Sequence, residues 1–193
     1  MVGIGAVVII IGLYAISISK SSASNAESSE TMSPTFSLKS SAFENGASVP
    51  SRFTCDGESA SPPLSWSNIP EGTKSLALTV HDPDVPKQLK PDGMFDHWVV
   101  FNLPVGRQAS LQQGEVPEDA LIGANGAGQN KYTGFCPPPQ YEPSEHRYFF
   151  TLYALDIELP LKAGATRTQV EQAMEGHVLG QAELLGKYKR ITK

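Results

Sequence analysis

Three apolar segments constrain this chain more than anything else in it: "SLALTVHD" (75–82), "HWVVFNL" (97–103) and "RYFFTLYALD" (147–156). All are rich in β-branched and aromatic residues, which fit a pleated, half-buried surface. They read as central strands, the third largely buried. Turn-forming "PEGT", "KPDG" and "PVGR" lie around them. Upstream, "FSLKS" (36–40) alternates and predicts a first strand. "SPPLSW" (61–66) sets prolines just before a short strand, where a missing N–H does least harm. Fifteen prolines and seventeen glycines are too many for a helical bundle.

Near the C-terminus the period changes. Thr168 with Glu171 fits a capping box, and Val170, Ala173, Met174, His177 and Val178 follow helical spacing. "AELLGKYKR" (182–190) then alternates, with Ala182, Leu184, Gly186 and Tyr188 on one face. The fold predicted is mainly β: a sandwich of packed antiparallel sheets with one or two short helices.

Residues 1–18, "MVGIGAVVIIIGLYAISI", carry no charged side chain. As a helix they would span about 27 Å, close to the hydrocarbon thickness of a bilayer. They read as a transmembrane anchor or a signal peptide, so the domain is expected to be membrane-anchored, or exported after cleavage. Residues 19–34 hold seven serines and no apolar period, the composition of a flexible tether. The folded domain is expected over 35–193. Net charge is −5, with no Lys/Arg stripe, which argues against a nucleic-acid partner.

Chemistry gathers where strands meet loops. "TVHDPDVP" (79–86) precedes "DHWVVFNLP" (96–104). Asp84 reads as a turn former, since Asp hydrogen-bonds the backbone two residues on; the proline after Asp82 weakens that reading for Asp82. Asp82, Asp84 and His97 together are compatible with a metal site, an acid/base pair, or an anion pocket with a carboxylate-oriented imidazole. "GANGAGQNKYTGFCPPPQYEPSEHRYFF" (123–150) begins glycine-rich, as backbone nests for anions do, but matches no phosphate-loop spacing. His81 should face away from Asp82, and His177 reads as a core residue of the helix. Cys55 and Cys136 are the only cysteines. A disulfide and two buried thiols are both open.

Taken in order, "FTCDGESASPPLSW" (53–66), "DPD" (82–84), "HWVVFNLP" (97–104), "YTGFCPPP…HRYFFTLYALD" and "GHVLGQAELLGKYKR" (176–190) resemble the phosphatidylethanolamine-binding protein family. The similarity is to its bacterial and archaeal, Raf kinase inhibitor-like (YbhB/YbcL) branch, over about residues 35–191. The resemblance implies a β-sandwich with a small anion pocket at one end. By motif position it puts Asp82, His97, Gly134, Pro137, Pro138, His146 and Tyr148 on the pocket, Asp84 in support of the loop, and Cys136 inside the pocket motif. His97 and His146 would donate N–H groups to phosphate, and Tyr148 its hydroxyl. Asp82 would orient a histidine or accept from an ethanolamine ammonium. Arg147 alternates with its neighbours and would point away.

The function implied is non-catalytic binding of phosphate or a phosphorylated headgroup such as phosphoethanolamine, without metal or cofactor. One alternative is an inhibitor or regulator with a kinase or peptidase as protein partner. A second is a metal-dependent hydrolase using Asp82, Asp84, His97 and His146. No H-E-x-x-H, G-x-S-x-G or phosphate-loop motif supports an enzyme.

Overall fold

Alternation along the central strands sorts their side chains into two layers. The computed structural model describes residues 35–106, 109–115 and 119–190, with Met1 and Gly3. The expected anchor or signal peptide and the tether otherwise lie outside these residues. Strands β1 (Ser37–Lys39), β2 (Leu64–Ser67) and β5 (Ser110–Leu111) form a small antiparallel sheet. Strands β3 (Ser75–Asp82), β4 (Phe95–Pro104), β6 (Leu121–Ile122), β7 (Glu145–Leu155) and β8 (Val178–Lys189) form a larger one, in the order β6-β4-β3-β7-β8. Every pair in it is antiparallel. Among the described residues no helix is long and apolar enough to cross a membrane.

One face of the large sheet sends Leu78, Val80, Trp98, Val100, Phe150 and Leu152 against Leu38, Leu64 and Trp66 of the small sheet. The other face sends Ala77, Val99, Phe101 and Leu155 against Val170 and Met174 of the helix α1 (Arg167–Met174). Strands covered on both sides lose clean polar alternation, which is why their sequences run nearly continuously apolar. The expected face of β8 is buried at Ala182, Leu184, Gly186 and Tyr188.

The helix start differs from expectation. Thr166, not Thr168, is the N-cap: its hydroxyl accepts the Gln169 N–H at 3.3 Å, and Gln169 Oε1 accepts the Thr166 N–H at 2.9 Å. Glu171 is engaged elsewhere, by Arg167 one turn back at 2.6 Å. The helix stops at Met174 because Gly176 takes φ +80°, a left-handed turn that ends helices. His177 therefore is not a core residue. It is half-exposed, with Nδ1 2.8 Å from Asp156 Oδ1. From Val178 the chain is already strand, paired with Leu155. Strands β5 and β6 have two residues each, too short to leave a period in the sequence.

The cysteine question resolves as a disulfide. Cys55 and Cys136 are bonded, with Cα atoms 5.4 Å apart across 81 residues of chain. The bridge joins the loop after a 3-10 turn (Ser51–Phe53) to the segment that precedes β7.

Candidate functional site

At the end of the large sheet where β3 finishes and β4 and β7 begin, a cavity of about 260 Å³ is lined by Asp82, Phe95, His97 and His146. The β7 contribution follows simple alternation: His146 shares a face with buried Tyr148, Phe150 and Leu152. His97 arrives by a different device. Val80 pairs with Trp98 and His81 with Asp96, and the register shift between them leaves His97 without a partner on β3. A bulge of this kind re-aims a side chain, and here it turns His97 toward the cavity beside Trp98, its inward-facing neighbour.

Asp82 is 3% exposed and ties the strand ends together. Its Oδ2 accepts Nδ1–H of His146 at 2.7 Å, and its Oδ1 accepts the Asp84 N–H at 2.8 Å. Asp82 thus orients a histidine, as the resemblance implies, and also makes the turn expected of Asp84. Pro83 removes only its own N–H, so Asp82 still reaches residue 84 and makes the turn. Asp84 instead grips Arg147 outside the cavity: its carboxylate accepts from the Arg147 backbone N–H at 2.9 Å, from Nε at 2.8 Å and from Nη2 at 2.7 Å. The guanidinium hydrogen bonds hold the Asp84 carboxyl below its ordinary range. Arg147 points away from the cavity, as its place in the alternation requires.

The second wall is the segment 133–138. Thr133 N–H donates to the His97 carbonyl at 2.9 Å, and His97 Nδ1–H donates back to the Thr133 carbonyl at 2.8 Å. The imidazole lies among Phe95, Phe135 and Tyr148, with ring centroids at 4.8, 5.0 and 5.3 Å. Burial there pushes its pKa down to about 4. At neutral pH the ring is uncharged with its proton on Nδ1, so Nε2 offers a lone pair. That corrects the expectation of His97 as a donor to phosphate: burial and the Thr133 carbonyl make Nε2 an acceptor.

The wall is fastened from behind. Cys55 N–H donates to the Phe135 carbonyl at 3.0 Å, Tyr132 donates its hydroxyl to the Phe53 carbonyl at 2.8 Å, and the disulfide closes the same contact. Gly134 lets this approach happen. A Cβ there would overlap Ser59 Oγ and lie 2.9 Å from the Thr54 carbonyl carbon. Gly134→Ala is accordingly expected to cost about 1–3 kcal/mol, read as a lower urea midpoint with an unchanged m-value.

Gly134, Cys136, Pro137 and Pro138 line the cavity with Asp82, His97 and His146, as the motif positions imply. Tyr148 does not. It is fully buried, stacked on Phe135 at a centroid distance of 3.7 Å, and burial raises its phenol far above the ordinary value. It backs the wall, and its hydroxyl, like His146 Nε2, is buried with no protein partner. Val85, Leu89, Phe95 and Thr133 line the cavity without having been singled out. Thr133 and Val85 lie inside the quoted motifs, and Phe95 stands two positions before His97 at the strand mouth. His81 faces the opposite side as expected, stacked on Phe149 at 5.6 Å.

Among the described residues no group of three or more His, Cys, Asp or Glu is placed to hold a metal. With Asp84 turned out to Arg147, the four-residue metal set is not assembled.

Comparison with known proteins places this geometry. The sequence pattern of the phosphatidylethanolamine-binding protein family matches residues 39–189. The chain belongs to that family. A UPF0098 protein of the archaeon Methanothermobacter thermautotrophicus is 46% identical over 157 residues, covering 79% of this chain and 98% of its own. The crystal structure of the phosphatidylethanolamine-binding protein homologue CT736 from Chlamydia trachomatis is 41% identical with a TM-score of 0.76, covering 81% of this chain and 98% of its own. That of E. coli YbcL is 29% identical with a TM-score of 0.72, covering 81% and 99%. This phosphatidylethanolamine-binding protein family member therefore shares its sandwich with bacterial and archaeal relatives, and its cavity lies within the matched span.

Proposed function

We propose that the chain is a non-catalytic binding protein whose cavity takes the oxyanion of a phosphate ester, free or as a lipid headgroup. One observation carries the reading: two imidazoles line the same cavity, each with Nδ1 already used. Nδ1 of His97 is spent on Thr133 and Nδ1 of His146 on Asp82, while His146 Nε2 is buried with no protein partner. A buried polar atom left unpaired is costly and implies a ligand or solvent partner.

The two rings suit a singly protonated phosphate. Its P–OH would donate to Nε2 of neutral His97. Its charged oxygens would accept from Nε2–H of His146, the ring that the Asp82 carboxylate orients at Nδ1. A phosphomonoester loses its last proton near pH 6, so binding should carry a proton in on the phosphate. Calorimetry with inorganic phosphate should show affinity falling as pH rises from about 6 to about 8, with proton uptake, and at least a tenfold loss in His146→Ala. Affinity that holds or rises toward pH 8 would contradict the arrangement. Phosphate esters should be recovered intact from the complex; steady release of inorganic phosphate would overturn the non-catalytic half.

A further inference from the structure

The floor and the rim of the cavity differ in chemistry. Asp82, His97 and His146 are buried at the floor, whereas Val85, Leu89, Phe95 and Pro138 stay partly or fully exposed. Leu89 is 54% exposed, one of few large apolar side chains so open to water among the described residues. None of these rim-lining residues carries a charge. Asp82 is the only lining carboxylate, and both its oxygens already accept hydrogen bonds from His146 and Asp84.

Carboxylates on the segments that flank Val85, Leu89 and Phe95 are also engaged. Asp84 is held by Arg147, Asp92 by Lys90 at 3.0 Å, and Asp96 by Arg167 at 2.6 Å. The Phe95 ring packs beside His97, with centroids 4.8 Å apart and planes at 57°, and keeps part of its surface on the cavity. An ammonium two carbons from a floor-bound phosphate would lose water here and find no free carboxylate among the lining residues. An apolar stem would instead cover Leu89, Val85 and Phe95.

We infer that the ligand of this site is a phosphomonoester on an aryl or alkyl stem, and that zwitterionic phosphoethanolamine is the poorer occupant. This rests on the oxyanion reading above and specifies what lies beyond the oxyanion. Covering roughly 60 Å² of apolar surface is enough for about a tenfold gain in affinity.

The test is calorimetry on the full chain with inorganic phosphate, phosphoethanolamine, phenyl phosphate and n-butyl phosphate at one pH. Phenyl phosphate should bind at least tenfold more tightly than phosphoethanolamine, with butyl phosphate also ahead of it. In Leu89→Ser the ratio of phenyl phosphate to inorganic phosphate affinity should shrink at least threefold. Phosphoethanolamine binding as well as phenyl phosphate, while inorganic phosphate still binds, would overturn the inference and leave the oxyanion site standing. A ratio untouched by Leu89→Ser would also overturn it, by removing the stem from this rim. If no phosphate compound binds, both readings fail together.

Discussion

Replacing Cys55 and Cys136 together by serine, or reducing their bridge, should lower the unfolding free energy by about 4 kcal/mol. The bridge spans 81 residues, and in the chain-entropy account a loop of that size gives a little under the ~4.7 kcal/mol of a 100-residue loop. For a domain of this size each kcal/mol moves the melting temperature about 2–4 °C, so a drop of roughly 10–15 °C is expected. The effect should reach the site as well. Cys136 lines the cavity and the bridge fastens the wall that carries Thr133, the partner of His97. Oxyanion affinity should therefore fall at temperatures where the variant remains folded. A variant within 1 kcal/mol of the parent, with intact affinity, would show that the bridge neither forms in solution nor holds the wall.

The second large effect is a pH dependence. His97 has its folded pKa depressed from 6.5 to about 4 by burial. Between those values the unfolded chain binds the proton and the folded chain does not, so stability falls with decreasing pH. The contribution is complete above about pH 6.5 and is lost as pH drops toward 4; it is on the order of 3 kcal/mol. Urea unfolding of the parent and of His97→Gln at several pH values isolates it, because the carboxylates are common to both. The slope between pH 4 and 6.5 should be shallower in the variant by about one proton. Equal slopes would mean that His97 titrates normally, and the neutral-acceptor role would fail.

What the sequence showed of this site follows from which features obey a period. His146, Tyr148 and Phe150 share a face because β7 is regular, and strict alternation is readable without coordinates. His97 escapes that reasoning. One residue of bulge in β4 sets it beside Trp98 on the inward side, and nothing in "DHWVVF" marks the extra residue. Asp82 was legible as the carboxylate that orients a histidine, whereas the role of Asp84 was not, since it depends on where Arg147 lies across the strand. Tyr148 shows the converse limit. The right face is not the same as the right depth: Tyr148 is fully buried and stacked on Phe135, outside the cavity lining. The disulfide depended on a Cα separation that spacing in sequence cannot supply. The capping box sits at Thr166 and Gln169, two residues before the one read from the sequence, because Glu171 is taken by Arg167.

The chain has four histidines, and they make a built-in control for the central claim. Two face the cavity, while His81 stacks on Phe149 across the sheet and His177 pairs with Asp156 beyond the helix. Nitrogen-resolved NMR of all four rings in the full chain, during a titration with inorganic phosphate near pH 6.5, tests the site directly. The account predicts saturable shifts at His97 and His146 with a shared dissociation constant, and none at His81 or His177. No saturable shift at the first pair, or equal shifts at all four, would contradict an oxyanion site between Asp82, His97 and His146.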